Sequence, residues 1–172
     1  MSKNNVILCG FMGSGKSTVG RLLAKRLGRP FVDLDAYIES IAGQTVAEIF
    51  NTKGEAAFRT MEQLAARTLC GQSGLVLACG GGTVLNPKTA ALLRQSGTVV
   101  YLSVCPQTVL QRLANDSTRP LLQGTKAEKS ARIATLLAAR EPLYRAAAHF
   151  TVATDGGAEQ AVTAILAHLN NL

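Results

Sequence analysis

GFMGSGKST, residues 10–18, is the stretch on which the fold turns. Gly10, Gly15, Lys16 and Ser17 satisfy GxxxxGK[ST], and the match stands after the apolar run VILC (6–9) and before a helical pattern. In that pattern Val19, Leu22, Leu23 and Leu27 fall on one face and Gly28 closes the turn, which predicts a helix over 16–27. Strand, glycine loop and helix in this order make an anion cradle. Glycines turn successive backbone N–H groups toward one centre, the helix N-terminus adds its dipole, Lys16 reaches the β- and γ-phosphates, and the Ser17 hydroxyl suits Mg²⁺. A dinucleotide fingerprint fails on spelling. Thr18 stands where a motif started at Gly13 needs its last glycine, and Leu85 where one started at Gly80 does.

The rest of the chain extends the same alternation. FVDLD (31–35), GLVLAC (74–79), TVVYLSV (98–104) and HFTVAT (149–154) read as further strands, and continuous rather than alternating hydrophobicity predicts a parallel sheet covered on both faces. Thr45 and Glu48 spell a capping box that opens a helix, Gly54 interrupts it, and Phe58, Met61, Leu64, Ala65 and Leu69 form the apolar stripe of the next segment. Residues 36–73 therefore read as a helical insert. NDSTRPLLQGTKAEKS (115–130) is polar with Pro and Gly and reads as a mobile lid.

Composition narrows the function classes. At 172 residues, with 47% hydrophobic and 17% charged, the chain suits one compact domain. MSKNN carries no apolar leader, and no apolar run approaches the roughly 18 residues that span a bilayer, so a soluble cytoplasmic protein is expected. Cys9, Cys70, Cys79 and Cys105 form no metal-ligand spacing and are expected to be small buried hydrophobes in a reducing compartment. The net charge of +7 is scattered rather than blocked, so a small polyanion explains it as well as a nucleic acid would. His149 and His168 pair with no acid or hydroxyl and are expected to be structural or exposed.

The chain lacks NKxD and DxxG, which favours adenine over guanine. The metal needs an acid near a strand end, and only Asp33 or Asp35 offers one; either also serves as a turn or N-cap residue. Arg59, with Glu55 and Glu62 one turn away, reads as a solvated salt-bridged face or a ligand contact. Arg140 continues the stripe Ile133, Leu136, Leu137 to Tyr144, a core-facing position for which a bound carboxylate or phosphate is a natural partner. Arg119 is a lid arginine or a loop arginine in water. The glycines 80–82 are a tight strand exit or a ligand site.

In order, GFMGSGKST (10–18), FVDLD (31–35), GEAAFRTME (54–62), GGGTVL (80–85), RPLL (119–122) and REPLY (140–144) resemble the shikimate kinase family over almost the whole chain. The resemblance implies an α/β, three-layer P-loop kinase fold within a single domain, 1–172. A five-stranded parallel sheet carries helices on both faces, with a substrate-binding insert over about 33–62 and a lid over about 115–126. It implies ATP held by Gly13, Ser14, Gly15, Lys16, Ser17 and Thr18, and Mg²⁺ by Ser17 and Asp33. Asp35 would orient or deprotonate the attacking 3-hydroxyl of shikimate, Arg59 and Arg140 would clamp its carboxylate, and Gly80, Gly81 and Gly82 would lie against it. Arg119 would close over the phosphates. TDGGAE (154–159) lacks the arginine or proline that many members place beside adenine, which leaves Arg112 and backbone as base contacts. The expected enzyme is a monomer acting on ATP and shikimate, with neither nucleic acid nor membrane. Its rivals are gluconate kinase, a slowly hydrolysing ATP-binding module and a nucleic-acid-associated ATPase.

Overall fold

Five strands run in one direction: β1 (Asn5–Cys9), β2 (Phe31–Asp33), β3 (Val76–Ala78), β4 (Gly97–Ser103) and β5 (Phe150–Ala153). Their spatial order is β2-β3-β1-β4-β5, so β1 is central and every connection is a crossover. The computed structural model describes residues 4–116 and 123–171. Helices α1 (Lys16–Leu27) and α7 (Ala158–Leu169) cover one face; α2 (Leu34–Ala42), α3 (Val46–Cys70), α4 (Pro87–Ser96), α5 (Pro106–Arg112) and α6 (Lys126–Ala147) cover the other. This is the layered α/β architecture that the apolar runs predict.

The continuity of those runs has a simple cause. Along β1, Val6 and Leu8 pack with Val19 and Leu23 of α1 and Ile165 of α7, whereas Ile7 and Cys9 point into the opposite core with Phe58, Leu69 and Tyr144. Alternation is invisible in the sequence because both sides of the strand are buried. Strands β1 and β3 pair with Leu8 opposite Ala78, and the ladder continues as Cys79 N–H donates to Leu8 O at 2.9 Å. The two glycine loops therefore leave the sheet side by side.

Local signals set the helix ends. Gly15 (φ 88°) turns the chain into α1 and Gly28 (φ 62°) closes it. The Thr45–Glu48 capping box forms at the head of α3, and Gly54 (φ 83°, ψ 171°) breaks α3 into two segments. Several expectations need correction. FVDLD is strand only to Asp33, because the Asp33 carboxylate accepts from Ala36 N–H and starts α2 there, so Leu34 and Asp35 are helical. Leu64 is 57% exposed; its place on the buried face of α3 between Phe58 and Ala65 is held by Glu62, which is 3% exposed. Cys9 and Cys79 are buried, but Cys70 is half-buried and Cys105 exposed. Arg119, RPLL and half of the expected lid lie outside the described residues. Among the described residues no helix is long and apolar enough to cross a membrane.

Candidate active site

The phosphate loop is shaped by what surrounds it. A Cβ on Gly10 would fall 2.7 Å from Leu102 O and 2.9 Å from Ser14 Oγ, so only glycine lets β1 turn into the loop here. Ser14 Oγ is buried with no hydrogen-bond partner among the described residues. Lys16 Nζ folds back over the loop and donates to the carbonyls of Gly10 and Phe11 at 2.9 Å each. Those carbonyls occupy donors that a phosphate would otherwise take. Ser17 Oγ donates to Asp33 Oδ2 at 2.6 Å, while Asp33 Oδ1 accepts from Ala36 N–H at 3.2 Å. One carboxylate thus caps α2 and also accepts from Ser17 at the head of α1, so of the roles left open for Asp33 the N-cap is the one the fold builds.

Asp35, in the first turn of α2, is brought against the second glycine loop. Its Oδ1 is buried with no partner among the described residues, and it lies 2.9 Å from where a Gly80 Cβ would sit. Burial pushes the Asp35 carboxyl up from 3.8 to about 6, with the charges of Asp33 and Glu62 adding to it and Lys16 opposing. Glu62, which the sequence suggests only as an ion-pair partner of Arg59, is buried at the centre of the site. It accepts from Arg59 Nη1 at 2.9 Å and from Thr83 Oγ1 at 2.7 Å, and so fixes both partners. The signal was available: Phe58, Glu62, Ala65 and Leu69 follow the 3.6-residue period, with a carboxylate in the middle of an apolar stripe.

Two guanidinium groups flank the loop. Arg59 stacks near Phe58 (5.4 Å) and lies against Gly82, where a Cβ would come within 2.6 Å of Nη1. Arg59 is therefore neither purely a solvated ion pair nor a free ligand contact; Glu55 and Glu62 hold it in place with part of the group still open. Arg140 is half-buried rather than enclosed, lies 5.9 Å from the Phe11 ring, and forms no ion pair among the described residues. Its Nη1 is 3.8 Å from a Gly81 Cβ position, whose other neighbours, Gly10 O and Met12 N, are 3.9 Å away. Side-chain room is thus absent at Gly80 and Gly82 but present at Gly81, beside the phosphate loop.

On the other side of the phosphate loop, Arg112 at the end of α5 donates to Gly13 O (2.9 Å) and to Thr154 O (2.5 Å). It tops a cavity of about 220 Å³ lined also by Ser14, Gly15, Thr18, Thr154 and Ala158. Asp155 turns away to accept from Cys105 N–H at 3.0 Å. The glycines that follow offer only backbone. His149 accepts from Val99 N–H and His168 stacks on Phe150, and both are exposed, so each makes structural contacts at the surface. No cluster of three His, Cys, Asp or Glu side chains occurs among the described residues.

A phosphate loop that shares a sheet edge with a second loop, itself faced by a basic carboxylate and two cations, is the layout of a P-loop kinase of small molecules. Comparison with known proteins narrows that class. The family model for shikimate kinase matches residues 12–170. Shikimate kinases of Geobacter sulfurreducens and Pelotomaculum thermopropionicum are 48% and 42% identical to this chain, each over 162 residues, covering 94% of it and 88% and 93% of themselves. The structure of shikimate kinase from Acinetobacter baumannii in complex with shikimate superposes with a TM-score of 0.91 at 41% identity, covering 99% of this chain and 94% of that one. The chain belongs to the shikimate kinase family. A gluconokinase from Sinorhizobium meliloti, 20% identical with a TM-score of 0.61, shares the fold alone.

Proposed function

We infer that this chain transfers the γ-phosphoryl group of ATP to the 3-hydroxyl of shikimate, giving shikimate 3-phosphate and ADP, a step toward chorismate and the aromatic amino acids. The observation that carries the reading is the unpartnered, buried Asp35 Oδ1 beside a loop flanked by two guanidinium groups. A hydroxyl at Asp35 and a carboxylate at Arg59 and Arg140 satisfy all three at once.

In the reaction, the 3-hydroxyl oxygen forms a bond to the γ-phosphorus as the bond from that phosphorus to the β-bridging oxygen breaks, and ADP leaves. Asp35 takes the hydroxyl proton. With its carboxyl near 6, it is mostly ionised at neutral pH and still basic enough to accept. Lys16 exchanges the Gly10 and Phe11 carbonyls for phosphate oxygens, and the loop amides from Gly13 to Thr18 take the rest. Arg112 and the backbone near Thr154 hold the base. Arg119 supplies charge from the lid. Most of the rate comes from positioning and charge stabilisation.

The Ser17 hydroxyl and the Asp33 carboxylate, in contact at 2.6 Å, are hard oxygen donors of the kind Mg²⁺ takes. With so few protein donors, phosphate and water would supply the remainder. When bound, the ion neutralises charge on the phosphates. We further propose a monomeric, single-domain enzyme of the cytoplasm; the four unpaired cysteines support a reducing compartment.

A coupled ADP-release assay tests the assignment across shikimate, gluconate, nucleoside monophosphates, RNA, DNA and no acceptor. ADP is expected with shikimate alone. Release with gluconate, or hydrolysis stimulated by nucleic acid, would refute it. Lys16→Met is expected to abolish turnover while the melting temperature is kept.

A further inference from the structure

The backbone carbonyls of the second glycine loop are not held alike. Gly80 O accepts from Thr83 N–H and Gly82 O from Leu85 N–H, both at 3.2 Å, so the short 3-10 turn that follows (Thr83–Leu85) secures these two. Gly81 O reaches outside the loop. Its partner among the described residues is the Tyr144 hydroxyl, which donates at 2.6 Å across 63 residues of sequence. We propose that Tyr144 is a positioning residue for the acceptor substrate, fixing the Gly81–Gly82 peptide so that the loop presents one orientation of its amides to shikimate. The proposal rests on the functional reading above.

The physical case begins with the loop. Three glycines in a row carry no side chain to lock them, and a glycine pair lets the intervening peptide rotate at little steric cost. Gly82 sits at φ −104° and ψ −3°, an ordinary conformation, so no backbone strain keeps the peptide as it is. The peptide is planar and trans; pinning the Gly81 carbonyl therefore also sets the direction of the Gly82 N–H. Rotation would turn that donor by about half a turn relative to the substrate.

Tyr144 is suited to the task because it cannot move. It is 0% exposed, and its ring stacks on Tyr101 of β4 with centroids 5.3 Å apart and 22° between planes. Tyr101 is itself 1% exposed on an inner strand. The hydroxyl is thus a fixed point tied to the sheet. Arg140 lies one turn earlier on the same helix, with its Nη1 3.8 Å from the Gly81 Cβ position. Helix α6 therefore meets the loop twice, and its two residues also interact, since the Arg140 guanidinium lies beside the Tyr144 hydroxyl that donates to the loop.

Tyr144→Phe keeps the ring and removes the bond. Its expected effect is a rise in the KM for shikimate of about fivefold, the worth of one neutral hydrogen bond, with kcat and the KM for ATP within about twofold. Tyr101→Phe, which alters the stacked partner without touching the loop, should leave the shikimate KM unchanged. Backbone hydrogen exchange gives a readout independent of turnover: in Tyr144→Phe the amides of residues 82–85 should exchange faster while those of β1 and β3 do not. A shikimate KM within twofold of wild type, an equal rise in Tyr101→Phe or a parallel rise in the KM for ATP would overturn the proposal. So would unchanged exchange at 82–85, whichever acceptor the enzyme uses. Wild-type enzyme indifferent to shikimate overturns the functional reading instead.

Discussion

Asp35→Asn should make the protein more stable and nearly inactive, and the size of the gain can be worked out. The carboxyl is raised from 3.8 to about 6, first by burial and then by the charges of Asp33 and Glu62. A group whose folded pKa lies above its unfolded value binds more protons when folded between those two values, so stability falls as pH rises from 3.8 to about 6 and the loss persists above. The shift corresponds to about 3 kcal/mol at neutral pH. Replacing the carboxylate with the isosteric amide removes that cost, and the new N–H₂ lies near the Glu62 carboxylate, which is 3.0 Å from the same Gly80 Cβ position. A gain of about 2 kcal/mol at pH 7 should raise the melting temperature by about 4–8 °C in a domain of this size. Thermal melts of both proteins from pH 4 to 8, with kcat in parallel, make the test. The difference should vanish near pH 4, where Asp35 is neutral in wild type, and kcat should fall by at least about a hundredfold. An Asp35→Asn protein no more stable than wild type at pH 7 would refute the claim that this carboxylate is held ionised against its surroundings.

Glu62→Gln removes the charge that holds Arg59 and should raise the KM for shikimate about tenfold without changing the KM for ATP, since charged hydrogen bonds exceed neutral ones by about 1–1.5 kcal/mol. It should also move the acid limb of the kcat/KM profile to lower pH, because Glu62 helps to raise Asp35. Gly82→Ala places a methyl 2.6–2.8 Å from the Arg59 guanidinium and should weaken shikimate binding at least about fivefold by displacing it, as measured by titration calorimetry. Gly81→Ala meets only ordinary contacts at 3.8–3.9 Å, so its melting temperature should match wild type while its shikimate affinity falls more than its ATP affinity. Arg112→Ala should raise the KM for ATP about tenfold and leave that for shikimate alone, since it removes the bonds joining Gly13 to Thr154.

Features that depend on adjacent residues were legible in the sequence. The phosphate loop, the Thr45–Glu48 box and the Gly54 break are each written within a few positions, and the structure builds all three. The continuous strands gave away the covered sheet for the same reason. Misreadings arose where two roles compete for one residue. Asp33 looks like the interior of FVDLD until its side chain captures Ala36 N–H and ends the strand. Leu64 looks like core and Glu62 like surface, and each is the other, because Thr83, 21 residues away, supplies Glu62 with a buried partner. No local pattern reports a partner at that separation. The Tyr144 bond to Gly81 is hidden likewise, although Tyr144 itself sits where the helical period puts a core residue.

The pairing of Leu8 with Ala78 acts as a ruler for the chemistry. The phosphate loop begins at Gly10 and the second glycine loop at Gly80, each two residues past that rung, with buried Cys9 and Cys79 between. A strand advances about 3.3 Å per residue, and reacting atoms must approach to about 3–3.5 Å. Slipping β3 along β1 by one position would therefore displace one loop relative to the other by the entire approach distance, and would turn that strand's side chains to the wrong core as well. Under the proposed function, alignment of phosphoryl donor and acceptor is enforced by the same packing that selects the register, so misalignment and misfolding become a single event.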